Sequence, residues 1–313
     1  MIASRRSSRP FWNKRLLIVA GKGGVGRSTV AAALGLAGAR SGLETIVVET
    51  AGRGDVARAL GGRVGERLAE VELQPSLRHV AISRRPALEE YLRQELPTAL
   101  PAALVARSRA FELFVDAAPG MSDLLTIGKV WELVQRPRHK PRARPYDLVI
   151  LDGPASGQLV GLLCAARTFS SVARVGPIAR QAAAIDAMLG DASTVGVIAV
   201  ATPEQMAISE TLELQTVLAE RLGLKLDGVV VNRLFAPRFS AADRHALAGA
   251  PDDPTIRSAR WYDGRAQAQR AHLARLRRGL LGVPHTTLPF LFTPRLGLVD
   301  IEHLADRLAG ALA

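Results

Sequence analysis

The stretch Gly21-Lys22-Gly23-Gly24-Val25-Gly26-Arg27-Ser28-Thr29 decides the reading of the whole chain. An apolar run, Leu16-Leu17-Ile18-Val19-Ala20, leads into it, and an Ala/Leu-rich stretch with helical character, Val30–Arg40, leads out. A strand feeding a glycine loop that opens a helix is the context in which backbone N–H groups cradle a phosphate. Gly21, Gly23, Gly24 and Gly26, with Val25 among them, let the backbone approach an anion without Cβ clashes. Ser28, followed by Thr29, stands where a hydroxyl reaches the Mg2+ of a bound nucleotide. Two positions are unusual. Arg27 occupies the place of the usual phosphate lysine, and a second basic residue, Lys22, follows the first glycine.

Around this loop the chain alternates apolar strand-like runs with helical patterns. Thr45–Glu49 reads as a buried strand after a helix that Gly42 ends. Ala69–Leu73 and His79–Ile82, separated by Pro75-Ser76, read as a hairpin. From Pro86 to about Arg136 the pattern is helical, with apolar faces at Leu88, Tyr91, Leu92 and Leu96, at Phe111, Phe114 and Val115, and from Leu124 to Val134. We read 86–145 as a helical insert whose basic, proline-punctuated end, 136–145, is a solvated linker. Tyr146–Asp152 is a strand ending in a carboxylate, and Val195–Ala201 and Gly228–Val231 are further strands. Helices are expected at Pro203–Arg221, Arg265–Leu281 and Ile301–Leu312, with a short last strand at Thr286–Leu288. The alternation implies an α/β fold: a doubly wound, mostly parallel sheet flanked by helices, with ligands at the carboxyl ends of its strands. Residues 1–14 are expected to be a basic arm and 15–313 one nucleotide-binding domain.

Composition bounds the function. The chain has 313 residues, 48% of them hydrophobic, and carries a net charge of +12. No apolar run reaches the roughly 18–20 residues of a membrane span, so stable membrane insertion is not expected. Ser4–Pro10 hints at a twin-arginine signal, but the apolar stretch after it ends at Lys22 and reads as the first strand, so the expected location is the cytoplasm. The basic balance suits an anionic partner, yet arginine-rich proteomes produce it without one, and nucleic acid is not an expected partner. The single cysteine, Cys164, excludes a disulfide or a cysteine-based metal cage within one chain.

Asp152, at a strand end, is the natural partner of the loop, since a carboxylate there holds the hydration shell of Mg2+ beside the Ser28 hydroxyl. With these residues in place, a family resemblance becomes specific. Gly21–Thr29, with Lys22, resembles the deviant Walker A loop (KGGxGK[ST]) of the ParA/MinD/ArsA group of P-loop NTPases, in which the early lysine reaches across a dimer to the partner's phosphates. Asp152–Gln158 resembles the D-x-P-x-T-G-H switch II of the ArsA type, and Ala118–Asp123 its Pro-Gly element. Thr202–Met206, with Glu210-Thr211, resembles its T-P-E stretch. Asn232 matches the asparagine that reads adenine, and Leu288-Pro289-Phe290 the loop that closes over the base.

The resemblance implies an ArsA-type ATPase, the family of arsenite-pump ATPases and of factors that deliver tail-anchored proteins. It implies ATP and Mg2+ as cofactors, with Ser28 and Asp152 on the metal and Lys22, Arg27, Asp152 and Asp55 as catalytic candidates. It also implies a homodimer or a hetero-dimer with a paralogous ATPase, and a membrane-protein or hydrophobic cargo at the insert. Three departures matter. Arg27 replaces lysine; Ala51-Gly52 stand where the family carries the Asp-Pro that positions the attacking water, leaving Asp55 as the nearest acid; and Gln158 replaces histidine. With Cys164 alone, neither a multi-thiolate arsenite site nor a zinc-clamped homodimer is expected. Two other readings stay open: a non-hydrolysing, nucleotide-gated binding subunit, and a ParA/MinD-like positioning ATPase.

Overall fold

Leu16–Gly21 forms strand β1, buried along its whole length, at the centre of the sheet. The structure is a computed structural model that describes residues 13–50, 52–66, 68–95, 120–138, 143–172 and 176–312. The remaining strands are β2 (Thr45–Glu49), β3 (Val71–Gln74), β4 (Leu77–Ala81), β5 (Leu148–Asp152), β6 (Val195–Ala201), β7 (Leu226–Leu234) and β8 (His285–Pro289). They form an eight-stranded sheet in the order β3-β4-β2-β5-β1-β6-β7-β8, parallel throughout except for the β3/β4 pair. β1, β2, β5 and β6 are near-continuous runs of Val, Ile, Leu and Ala buried at every position, as a parallel sheet covered on both faces demands.

The described helices are α1 (Arg27–Arg40), α2 (Asp55–Ala59), α3 (Arg84–Glu95), α4 (Met121–Val134), α5 (Ser156–Val172), α6 (Pro177–Leu189), α7 (Gln205–Leu222), α8 (Ala241–Gly249), α9 (Pro254–Gly279) and α10 (Leu298–Leu312). Val30–Gly38 of α1 are all buried, because the helix lies between the sheet and α10. Arg40 at its end bridges Glu302 and Asp306 of α10, at 2.6 and 3.0 Å. Among the described residues no helix is long and apolar enough to cross a membrane.

Several boundaries differ from the sequence reading. β7 continues through Asn232 to Leu234 instead of stopping at Val231, with a register irregularity against β8 at that point. α9 begins at Pro254, eleven residues before the expected start at Arg265; its N-terminal half is polar, and Asp253 caps it by accepting from the Thr255 and Ile256 N–H groups. α6 and α8 were not foreseen. α3 and α4 fall within 86–145, but Leu96, Phe111, Phe114, Val115 and Ala118-Pro119 lie outside the described residues.

The basic stretch 136–145 is corrected most. Arg136, Pro137, Arg144 and Pro145 are exposed as such a linker would be, but Arg138 is buried. The Arg138 side chain is 1% exposed and forks onto Glu70 (2.6 and 2.9 Å), with Glu132 accepting from it as well (3.0 Å). Glu132 also takes Lys129 (2.9 Å), Lys129 takes Glu90 (2.8 Å), and the Tyr146 hydroxyl donates to Glu70 (2.6 Å). Carboxylates distant in sequence thus neutralise arginines that look unpaired when the stretch is read alone. Charges this well buried are retained only because each is matched.

Candidate functional site

The loop leaves β1 at Gly21, whose φ of 150° leaves no room for a side chain: a Cβ there would lie 2.3 Å from the Val200 carbonyl of β6. It closes at Gly26, the N-cap of α1, in the left-handed region at φ 94°. No side chain caps α1, so its first N–H groups and the positive end of its dipole point into open space. Around Gly23 and Gly24 nothing lies within 4 Å of where a Cβ would be. The result is a backbone cradle for an anion. Asn232, 5% exposed, holds its far side. Its Nδ2 donates to the Val25 carbonyl (2.9 Å), and its Oδ1 accepts from the Arg233 N–H (2.9 Å).

Beside the cradle, β1 and β5 align Val19 with Asp152, and β2 and β5 align Glu49 with Asp152. Two strand-final carboxylates therefore sit side by side. Asp152 is 4% exposed, and burial is the main reason its pKa rises to about 6; the Ser28 side chain, hydrogen-bonded to it, and Arg27 pull the other way, while Glu49 and Asp55 add to the rise. Its Oδ1 is buried without a hydrogen-bond partner. Burial would likewise raise Glu49, but the His79 ring at 3.1 Å and the Asp55 N–H at 3.0 Å outweigh it, and its pKa lies below the ordinary value.

A divalent cation fits this arrangement. The orphaned Asp152 Oδ1 next to the Ser28 hydroxyl is the donor set of an Mg2+ that keeps most of its waters and phosphate ligands. Asp152 is the residue whose charge such an ion would restore to full ionisation.

The cleft above the loop has two lobes that share Thr29, Arg233 and Leu296. The larger, about 640 Å3, is lined by Gly24, Gly26, Arg27, Ser28 and Asp55 and by Arg53, Arg58, Arg233 and Arg295. The smaller, about 250 Å3, is lined by the apolar Pro289, Phe290, Leu291 and Leu304 together with polar Asn232, Arg233, Thr29 and Thr293. Asn232, Pro289 and the loop residues thus converge, although they lie some two hundred positions apart in the chain.

Arg27 is half-buried and donates to the Gly21 carbonyl at 3.1 Å; burial is the main influence on its pKa and lowers it. Asp55 opens α2 and faces the larger lobe, with its carboxylate held by Arg58 at 2.5 Å. Lys22 does not line the lobe; its Nζ lies 3.9 Å from Glu210 Oε2 and 3.9 Å from Met206 Sδ on α7. Gln158 is exposed in the first turn of α5. Ala51 lies outside the described residues.

Sequence reading missed Glu49, His79, Arg53 and Arg233. Glu49 was read only as a strand end, although a carboxylate closing an otherwise apolar strand is the signal that singled out Asp152.

The description of the anion-transporting ATPase family matches residues 14–175. The chain is 30% identical over 249 residues to the ATPase BagA of Mycobacterium tuberculosis, which covers 78% of this chain and 72% of that protein. An uncharacterized protein of Streptomyces coelicolor, SCO2128, is 33% identical over 174 residues, covering 54% of this chain and 42% of its own. Protein Rv2184c of Mycobacterium tuberculosis is 24% identical over 329 residues, covering 93% and 74%.

Proposed function

The chain belongs to the anion-transporting ATPase (ArsA) family, and from that premise we propose that it binds Mg-ATP and hydrolyses it slowly. The observation that carries the reading is the buried, unpartnered Oδ1 of Asp152 beside Ser28, at the foot of the cradle and of the two-lobed cleft. The purine lies against Asn232 and Pro289. The phosphates take the N–H groups of Gly23–Thr29, and Arg27 leaves the Gly21 carbonyl to grip them. The fork of Arg27 is longer and planar compared with the family's lysine, so it keeps the charge but alters the grip. Ser28 and Asp152 would hold an Mg2+, which would supply charge neutralisation to the phosphates. Slow turnover follows from the candidate base: Asp55 faces the lobe, but Arg58 occupies its carboxylate, which weakens its hold on a water. Calorimetry with Mg-ATP and Mg-ADP, followed by single-turnover hydrolysis, tests this. Absence of binding by the purified chain would overturn it.

The active unit we propose is a dimer, of two copies or with a paralogous ATPase, in which Lys22 reaches the partner's phosphates. The Lys22 side chain is 32% exposed and held by two long contacts, to Glu210 and to Met206 Sδ, each at 3.9 Å, so little is lost by its leaving. If Lys22→Ala dimerises with ATP as tightly as the wild type, in light scattering, this part is wrong. The nucleotide state would then be passed to α3 and α4, whose buried Met121, Leu124 and Leu125 would have to open to meet a hydrophobic or membrane-protein cargo. The Asp55–Arg58 pair also favours a second reading, a nucleotide-gated binding subunit that does not hydrolyse. Steady hydrolysis by the lone chain eliminates it.

A further inference from the structure

Five arginines line the larger lobe, and among the described residues only Arg58 has an acid partner. Arg53 lines the larger lobe together with Arg27 and Ser28. Among the described residues its guanidinium makes no hydrogen bond or ion pair, whereas the neighbouring Arg58 is spent on Asp55 and on the Arg53 carbonyl. The backbone on its C-terminal side is held at two points. Glu49 accepts from the Asp55 N–H at 3.0 Å, and Arg58 Nη1 donates to the Arg53 carbonyl at 2.7 Å. Gly52 and Gly54, both left-handed at φ 63° and 68°, flank the residue. An anchored main chain therefore presents a free cationic side chain on a short pivot.

Position in the cleft says what this cation meets. The two lobes join at Thr29, Arg233 and Leu296, whereas Arg53 lines only the larger lobe. A nucleotide with its base in the small lobe runs its phosphates away from that junction, along the cradle and towards Arg53. Arg53 is also close enough to Arg27 for the two positive charges to oppose each other. Arg27, Arg53, Arg233 and Arg295 line this lobe without an ion pair among the described residues, and with Asp55 already matched they leave positive charge that an anionic ligand would balance.

We propose that Arg53 reads the terminal phosphate of a bound nucleoside triphosphate from within the same chain. The inference rests on the nucleotide-binding reading above. With a triphosphate in place, the Arg53 fork pairs with γ-phosphate oxygens while its main chain stays anchored. With a diphosphate it has no anion to meet. A guanidinium stays charged, so Arg53 stabilises phosphate charge and does not act as the base for water.

Titration calorimetry of the full chain with Mg-ATP and Mg-ADP, on the wild type, Arg53→Ala and Arg53→Lys, is the test. Loss of a bidentate charge-assisted contact corresponds to roughly ten- to hundredfold weaker Mg-ATP binding. The expected result is that loss for Arg53→Ala, a smaller loss for Arg53→Lys, and Mg-ADP affinity within about twofold of wild type for both. Equal weakening of ATP and ADP would reduce Arg53 to a contributor to the general field and overturn the inference while leaving nucleotide binding standing. Unchanged ATP affinity would overturn it too. A wild type that binds neither nucleotide removes the underlying reading, and the inference with it.

Discussion

Replacing Gly26 with alanine isolates what the cradle costs to build. The residue sits at φ 94°, and its new Cβ would lie 2.3 Å from Asn232 Nδ2. The left-handed backbone costs an L-residue about 1–2 kcal/mol. The Asn232 amide must also withdraw, giving up its 2.9 Å hydrogen bond to the Val25 carbonyl in a buried setting, a loss of about 1–3 kcal/mol. Reduced freedom of the unfolded chain returns about 0.4–1 kcal/mol. The net expectation is destabilisation of about 3 kcal/mol without any nucleotide. Gly23→Ala is the control, since no atom lies within 4 Å of its Cβ and its φ needs no glycine; it should be neutral or slightly stabilising. Urea unfolding of both variants, of Asn232→Ala and of the double variant Gly26→Ala/Asn232→Ala forms a cycle. If the clash is the mechanism, the double variant loses about 1–2 kcal/mol less than the sum of the singles. Full additivity, or a Gly26→Ala variant as stable as Gly23→Ala, refutes the reasoning.

Other expectations follow from the same geometry. Burial would raise the pKa of Glu70, but hydrogen bonds from Arg138 and Tyr146 hold it at about 2. Its contribution, of order 3 kcal/mol, is therefore present above about pH 4.5 and lost as pH falls towards 2. Glu70→Gln should lower the urea midpoint at pH 7 and flatten its fall between pH 4.5 and 2. Lys129→Met removes the buried cation that bridges Glu90 and Glu132, leaving Arg138 on Glu132, and should lower the urea midpoint in the same assay. Arg27→Ala should weaken Mg-ATP at least about tenfold in calorimetry. Circular-dichroism melting should change little, because Arg27's one described hydrogen bond is to the Gly21 carbonyl.

Much of the fold was legible because its signals are local. A buried parallel strand must be apolar on both faces, so β1, β2, β5 and β6 stand out as runs, and Thr45–Glu49 and Val195–Ala201 match residue for residue. α8 has no buried residue and so no apolar stripe, and its only sequence signal was the Ser240/Asp243 capping box. The first half of α9 is polar for the same reason. The 136–138 segment misled because the acids that neutralise it, Glu70, Glu132 and Asp147, lie on other elements.

By itself, the order of residues determined the phosphate cradle, its strand and helix, and the carboxylate at the end of β5. All of these are written in consecutive positions, with glycine, hydroxyl and acid each carrying its own chemistry. Only the tertiary structure decided that Asn232 braces the loop through Val25, that Glu49 stands against Asp152, and that Arg53 is left free where Arg58 is not. Those outcomes depend on strand order and register, which bring together groups far apart in the chain. They also depend on burial, which lifts Asp152 to about 6 while His79 and the Asp55 N–H keep Glu49 below its usual value.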